Sequence, residues 1–186
     1  VLGSIALHGL RLSETSLGSK VVVIGLGIIG QLVCRLAEAQ GSEVIGIDPD
    51  TKRTDLSTNF YTSVEEANMT NVDSVIITAA TSSNEPIEVA TKIARNKAKI
   101  VVVGDIPLNI SRNDFYYKEL ELVVSKSYGP GRYDKQYEIL GKDYPIEYVR
   151  WTENRNFEAF IKLLSQNQIH LLDLVTEEVS FENAPS

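Results

Sequence analysis

Two kinds of segment alternate along the chain. Continuous apolar runs predict strands that are buried on both faces, as parallel sheets require. Apolar positions three and four residues apart predict amphipathic helices between them, and the first of these helices begins near Ile28 and ends at Gly41. The predicted strands are residues 20–25, 43–47, 60–61, 72–78, 99–103 and 120–125, and two further helices are predicted over residues 64–68 and 86–96.

This alternation predicts the fold class. Strands and helices that follow one another through right-handed crossovers form a doubly wound parallel α/β sheet of the Rossmann type, with six strands in the order 3-2-1-4-5-6. Outside the sheet, helices are predicted at residues 1–12 and around 157–164, a further strand at 171–175 and the start of a helix at 181–186. Residues 127–145 are expected to form a long ordered loop.

A glycine motif follows the first predicted strand directly and opens the first helix. It reads Gly25-Leu26-Gly27-Ile28-Ile29-Gly30, which matches G-x-G-x-x-G. Gly25 permits the tight turn, Gly27 lets a pyrophosphate approach the backbone, and Gly30 lets the helix pack closely on the strand. The N–H groups and the positive end of the helix dipole then face the phosphates. All six residues are predicted to bind a dinucleotide, and a purely structural turn is the alternative.

Asp48 ends the second predicted strand. A carboxylate in that position accepts hydrogen bonds from both hydroxyls of an adenosine ribose and repels a 2′-phosphate, so NAD is favoured over NADP as the cofactor. Lys52 and Arg53 follow closely and would soften this preference, and Arg53 is counted among the predicted cofactor-binding residues. The alternative interpretation is that Asp48 caps the turn before Pro49.

Two more segments leave the carboxyl ends of predicted strands, which is where this fold binds ligands. Thr78 and Ala79, with the small polar residues up to Asn84, follow the fourth strand, and Val103 and Gly104 end the fifth. Both segments are predicted to line the cofactor cleft. A polar turn that is rich in small residues is the alternative.

The loop after the sixth strand is a candidate part of the substrate cleft. Residues 127–133 combine glycines with the hydrogen-bond donors Tyr128 and Arg132, and Arg132 is suited to pair with a carboxylate or a phosphate. The alternative is that Arg132 pairs with Asp134 or Glu138 and only holds the loop. No catalytic residue is assigned within this sequence.

Composition limits the partners that the protein can have. The 186 residues fit one domain, carry a net charge of −7 and contain no cluster of Lys and Arg, which argues against binding to nucleic acid. No apolar run approaches the roughly 20 residues that span a bilayer. Because the first residues also lack the basic region of a signal peptide, a cytoplasmic protein without a membrane partner is expected.

The sequence has few candidates for metal ligands. Cys34 is the single cysteine, which permits neither an internal disulfide nor a cysteine-rich zinc site, and it is interpreted as a core residue. His8 and His170 are surrounded by apolar residues and are interpreted as packing residues. No metal site is therefore predicted in this segment.

Several stretches carry a resemblance to a known family. Ala6-Leu7-His8-Gly9-Leu10, residues 21–30 and Val44-Ile45-Gly46-Ile47-Asp48 resemble the coenzyme domain of the zinc-type medium-chain alcohol dehydrogenases. Residues 114–120, 127–134 and 143–156 are similar to bi-domain oxidoreductases associated with bacterial surface-polysaccharide synthesis.

The resemblance implies an NAD(P)-binding domain of an oxidoreductase that transfers hydride to or from a sugar or a nucleotide sugar. It also implies that residues 1–186 are one Rossmann domain of a larger protein, whose GroES-like catalytic domain, with the zinc ligands, and C-terminal part lie elsewhere. The segment alone would then be inactive and free of zinc. A homodimer through the edge strand at residues 120–125 is expected from the same likeness.

Two other classes of protein share the glycine motif and the acidic residue. A nucleotide-sensing regulatory module of the potassium-transport type is one alternative, although residues 6–10 and 127–156 have no place in it. A methyltransferase is the other, although its glycine spacing usually differs and no methyl-acceptor motif is visible in the sequence.

Overall fold

The computed structural model describes residues 1–54, 59–175 and 178–180. Six parallel strands form one sheet: β1 (Lys20–Ile24), β2 (Glu43–Ile47), β3 (Phe60–Tyr61), β4 (Val72–Ile77), β5 (Ala94–Val102) and β6 (Glu121–Val124). Their order across the sheet is β3-β2-β1-β4-β5-β6. The predicted Rossmann-type fold and its strand order are therefore confirmed.

Both faces of the sheet are covered, which explains the unbroken apolar run Val21–Ile24 in the central strand β1. Side chains of a strand alternate between the faces, so Val21 and Val23 belong to one buried cluster while Val22 and Ile24 belong to another. The helices are α1 (Leu2–Leu12), α2 (Ile28–Ala39), α3 (Thr51–Thr54), α4 (Val64–Ala67), α5 (Glu85–Ile93), α6 (Arg112–Tyr116), α7 (Lys135–Glu138) and α8 (Glu153–Ser165). α1 packs between α2 and α8 over one face, and α5 packs on the other.

The ends of two predicted helices can be compared with the structure. α2 ends at Ala39, and Gly41 follows with a φ of 87°, which is the left-handed conformation expected of a glycine just past a helix. α5 ends at Ile93, three residues before the predicted end at Asn96. The Lys118 ammonium donates hydrogen bonds to the carbonyl groups of Thr91 and Ala94. These bonds give partners to carbonyl groups at the end of α5, and β5 follows the helix without a loop.

The strand predicted at residues 171–175 is wrong. The structure instead has a 3-10 helix, Leu172–Leu174, in which the Leu174 N–H donates to the Leu171 carbonyl. Leu171 and Leu174 pack on the core whereas Leu172 is 89% exposed, so the apolar spacing is three residues rather than two. The predicted helix start at residues 181–186 lies outside the described residues.

The cysteine and one of the histidines lie where the sequence places them. Cys34 lies in α2 and is buried in the hydrophobic core, and burial raises the pKa of its thiol well above the usual range. His8 is buried in α1, but His170 is exposed, so the interpretation of His170 as a packing residue is wrong. The His170 main chain is tied to α2, because its carbonyl accepts a hydrogen bond from Arg35.

Within the described ranges, no helix is long and apolar enough to cross a membrane. Over the same residues, no three His, Cys, Asp or Glu side chains gather in a way that would hold a metal ion.

Candidate functional site

The glycine turn between β1 and α2 is closely packed on two sides. Gly25 has a φ of 96°, and a Cβ atom there would lie 2.5 Å from the backbone nitrogen of Ala79. A Cβ atom on Gly30 would overlap the Gly25 carbonyl oxygen and approach the Thr78 hydroxyl. The Thr78 hydroxyl donates to that same carbonyl at 2.5 Å. These contacts join the turn to the carboxyl end of β4 and leave no room for side chains.

Gly27 differs from the other two glycines of the motif. It is the N-cap of α2, and among the described residues no atom outside Gly27 and its two chain neighbours lies within 4 Å of the position that a Cβ would take. The backbone is therefore open on this side, at the positive end of the α2 dipole. An anion of the size of a phosphate group can approach the main chain here because no side chain stands in its way.

Asp48 lies immediately after β2 and is only 3% exposed. Its Oδ2 accepts a hydrogen bond of 2.7 Å from the Leu26 N–H, and its Oδ1 accepts one of 2.9 Å from the Asp50 N–H. The first bond ties β2 to the glycine turn, and the second is the turn cap that the alternative interpretation anticipated. The carboxylate therefore has a structural role and also faces the cleft.

Arg53 brings a positive charge to this carboxylate. Its Nη1 lies 3.1 Å from Asp48 Oδ2 and its Nε lies 3.5 Å from Asp50 Oδ2, while the Arg53 side chain is half exposed. A ligand that binds to Asp48 thus meets a guanidinium beside it. The prediction that Arg53 softens the preference for NAD stays a prediction, and the structure shows the ion pair on which it would depend.

One cavity of about 560 Å³ connects these groups. The glycine turn, Asp48, Arg53 and residues of α4 and α5 all line it. Its lining includes six predicted residues, namely Gly25, Gly27, Asp48, Arg53, Thr78 and Ala79, together with the small residues Ala80, Thr81 and Ser83. The sequence analysis missed the far wall, which is formed by Thr62, Ser63, Val64, Glu65, Glu85, Pro86, Glu88, Val89 and Lys92. The α5 part of that wall could have been found from its polar positions at intervals of three and four residues.

The remaining predicted cofactor residues do not line this cavity. Leu26 contributes its N–H, but its side chain is 2% exposed and belongs to the core. Ile28 is 46% exposed at the start of α2, and Ile29 packs against the core. Val103 packs against Gly9 of α1. Gly104 fits tightly against the Ala79 carbonyl, where a Cβ atom would clash with the neighbouring backbone.

The loop after β6 is held by side chains. Arg132 Nη1 pairs with Glu138 Oε1 at 2.6 Å, and the Arg132 guanidinium lies 4.2 Å from the centre of the Tyr133 ring. The Tyr128 carbonyl accepts a hydrogen bond from Asn156. The alternative in which Arg132 pairs with Glu138 is thus present in the structure, and the loop lies apart from the cavity lining.

Glu153 is an unusual neighbour of this loop. It is the first residue of α8 and is only 8% exposed, yet its Oε2 has no hydrogen-bond partner among the described residues. Burial raises the pKa of the Glu153 carboxyl, and the nearby Glu138 carboxylate raises it further, while Arg132 opposes the change. The Arg132 Nε is likewise buried and has no hydrogen-bond partner among the described residues.

The fold and the cavity together define a nucleotide-binding domain of the Rossmann class. Residues 8–115, well over half of the chain, match the family model of the NAD-binding domain of D-isomer specific 2-hydroxyacid dehydrogenases, and the chain belongs to this family. The predicted class, an NAD(P)-binding domain of a dehydrogenase, is therefore confirmed. This family, the 2-hydroxyacid dehydrogenases, differs from the medium-chain alcohol dehydrogenases that the sequence resembles.

Curated relatives are dehydrogenases of sugars and sugar acids. The chain is 27% identical over 152 residues to 2-dehydro-3-deoxy-L-galactonate 5-dehydrogenase of Pseudoalteromonas atlantica, covering 74% of this chain and 44% of that protein. It is 26% identical over 200 residues to D-guloside 3-dehydrogenase of Escherichia coli, covering 97% and 53%. The chain thus spans about half the length of these relatives.

A similar solved structure is that of a zinc-binding dehydrogenase from Sinorhizobium meliloti bound to NADP. The TM-score is 0.72 at 22% identity, over 99% of this chain and 52% of that one. At this identity the likeness shows the fold.

Proposed function

We propose that this chain binds NAD(P) in the cavity between the glycine turn and α5, as the cofactor domain of an NAD(P)-dependent oxidoreductase. The observation that carries the proposal is the open backbone at Gly27, which lies in the same cavity as the buried carboxylate of Asp48. Membership of a dehydrogenase NAD-binding family supports it. When bound, the nicotinamide group supplies the chemistry by accepting or donating a hydride.

The residues of this chain would bind and orient the cofactor. The N–H groups at the start of α2 face the pyrophosphate, and Gly27 admits it to the main chain. Asp48 accepts hydrogen bonds from the adenosine ribose, which requires Arg53 to give up part of its pairing with the carboxylate. We propose NAD as the preferred cofactor because the Asp48 carboxylate repels a 2′-phosphate, with Arg53 reducing the difference.

The proposed activity of the whole protein is hydride transfer to or from a sugar or a nucleotide sugar. The curated relatives named for sugars and sugar acids support this substrate class. We propose that the catalytic groups, including any zinc ligands, lie in a further domain of the same protein, since the chain covers only about half of those relatives. A bi-domain oxidoreductase of bacterial surface-polysaccharide synthesis, in the cytoplasm, is the specific parent that we propose.

Two further roles extend this proposal. Tyr128 and Arg132 would contribute to the substrate side of the cleft, because their loop leaves the same carboxyl edge of the sheet as the glycine turn. β6 would pair with β6 of a second copy, since it lies at the end of the sheet and exposes Val124. A dimer mass in light scattering that becomes a monomer mass for Leu122→Pro supports the pairing, and a monomer at high concentration contradicts it.

Calorimetric titration of the 186-residue chain with NAD tests the central proposal. We expect a dissociation constant between about 10 μM and 1 mM without turnover, because the nicotinamide end has no second wall in this domain. A folded chain, checked by circular dichroism, that shows no binding of NAD or NADP at millimolar concentration contradicts the proposal. The potassium-transport type of sensor is not favoured, since the family and the relatives are dehydrogenases.

A further inference from the structure

The helix α5 presents two different faces. Ile87, Ala90 and Ile93 are buried in the core beneath the sheet. On the opposite side, residues at intervals of three and four positions line the cavity, namely Glu85, Glu88, Val89 and Lys92. This face is therefore available to a ligand, and it lines the same cavity as the glycine turn and Asp48.

A hydrogen bond from Asn84 fixes the Glu88 carboxylate. The Asn84 amide nitrogen donates to Glu88 Oε1 at 3.0 Å, and the same amide nitrogen donates to the Asn109 carbonyl at 3.0 Å. Asn84 Oδ1 in turn accepts a hydrogen bond of 3.1 Å from the Asn109 N–H. Asn84 is thus a positioning residue that is itself fixed to the loop after β5. It engages one carboxylate oxygen and leaves Glu88 Oε2 without a hydrogen bond in the described part of the chain.

Apolar side chains stand beside this acceptor. Val89 follows Glu88 on α5, and Val64 contributes from α4; both are half-buried and line the same cavity. Two aliphatic walls suit a flat aromatic base, which buries its faces and leaves its polar edge to be paired. An acceptor held at such an edge selects a base that carries a donor there.

We propose that Glu88 reads the exocyclic amino group of the adenine ring, so that the domain distinguishes an adenine dinucleotide from its hypoxanthine analogue. This inference rests on the proposed binding of NAD(P). With the ribose on Asp48, the base continues into the part of the cavity that Val64, Glu88 and Val89 line. Adenine donates from its amino group to the carboxylate, whereas hypoxanthine has a carbonyl oxygen in that position and would meet the negative charge.

Lys92 limits the size of the effect. It lies one helical turn beyond Glu88 on the same face and lines the cavity. Its ammonium group can donate to the hypoxanthine oxygen and so recover part of the lost interaction. Because Glu88 is also exposed to solvent, we expect a preference for NAD over nicotinamide hypoxanthine dinucleotide of about five- to tenfold.

Calorimetric titration of the chain with NAD and with nicotinamide hypoxanthine dinucleotide tests the inference. Glu88→Ala should weaken NAD binding and bring the affinity ratio below about twofold, while the affinity for the hypoxanthine analogue changes little. Glu85→Ala is the matched control, because it removes a glutamate from the same helix face that Asn84 does not hold. It should keep the full ratio.

The outcomes separate this inference from the proposal on which it rests. Equal affinities of the wild-type chain for the two dinucleotides overturn the reading of adenine by Glu88, although NAD binding itself then stands. A ratio that survives Glu88→Ala, or that Glu85→Ala abolishes equally, also overturns it. Failure of the wild-type chain to bind either dinucleotide overturns both proposals together.

Discussion

The glycine turn and the loop after β6 lie at the same carboxyl edge of the sheet, but different kinds of interaction hold them. Main-chain hydrogen bonds join the glycine turn to its neighbours: the Gly25 N–H donates to the Ile47 carbonyl, and the Ala79 N–H donates to the Ile24 carbonyl. The glycines allow this approach because they carry no side chain. A side chain at Gly25 or Gly30 would therefore press on the backbone itself, whereas Gly27 has open space beside it.

Side chains hold the segment after β6. The Tyr137 hydroxyl donates to the Thr152 hydroxyl at 2.9 Å, Tyr144 bonds to Asp134, and Arg155 pairs with Asp143 at 2.5 Å. Two of these side chains also cap helices, Thr152 at the start of α8 and Asp134 at the start of α7, so the pairs fix the ends of both helices. The comparison indicates that a substitution at Gly25 or Gly30 disturbs the main chain directly, whereas a substitution after β6 acts first on a side-chain contact.

The largest effects are expected at the glycines, where two similar substitutions should act differently. Gly30→Ala places a methyl group against the Gly25 carbonyl and should lower the free energy of unfolding by about 3 kcal/mol. Gly27→Ala meets no protein atom, so it should change stability by no more than about 1 kcal/mol and yet weaken NAD binding by about 100-fold. Urea denaturation and calorimetry measure the two quantities. A Gly27→Ala variant that binds NAD normally would show that the pyrophosphate does not cross this turn.

Substitution of Asp48 should change the ratio of NAD to NADP affinity, by less than the change in NAD affinity expected for Gly27→Ala. Asp48→Ala should reduce the ratio of NAD affinity to NADP affinity by about tenfold, or about 1.4 kcal/mol, because the carboxylate that repels a 2′-phosphate is gone. Asp48→Asn is the control, since it removes the charge and keeps an acceptor for the Leu26 N–H. Arg53→Ala should move the ratio in the opposite direction. An unchanged ratio in all three variants means that Asp48 is only a turn cap.

The sequence predicted most of the fold because the determining features are local. An unbroken apolar run such as Val21–Ile24 can be buried on both faces only in a covered sheet, and a glycine motif that follows such a strand predicts a tight turn. The part of the far wall around α4 was missed because residues 62–65 and α5 line one cavity only in the folded chain, whereas the α5 positions carry a helical spacing that the sequence already shows. The 3-10 helix at Leu172–Leu174 was mistaken for a strand because five residues contain too few apolar positions to separate a period of two from a period of three.

The role of Arg132 could not be decided from the sequence, because an arginine near several acids has several partners within reach. In the full-length enzyme, Arg132→Ala should raise the Michaelis constant by about tenfold while NAD affinity stays constant. Glu138→Ala breaks the same ion pair but keeps the guanidinium, so it is the matched control. Both variants should leave the melting temperature nearly unchanged, since the pair is partly exposed and solvent screens it. If the two variants reduce activity and melting temperature alike, Arg132 is a structural tether.

The smallest effect concerns Glu153 and its dependence on pH. A carboxyl group whose pKa is higher in the folded state contributes most stability below its unfolded pKa, and this contribution is lost as the pH rises through the folded value. Glu153→Gln removes the ionisation, so the variant should match the stability of the wild type at pH 4 and exceed it by about 1 kcal/mol at pH 7.5. The α8 dipole favours the ionised carboxylate in the first turn and reduces this gain. Glu158→Gln, an exposed change on the same helix, should show no such divergence in urea denaturation. A Glu153→Gln variant that is less stable than the wild type at pH 7.5 would mean that the ionised carboxylate is needed, with Arg132 as its partner.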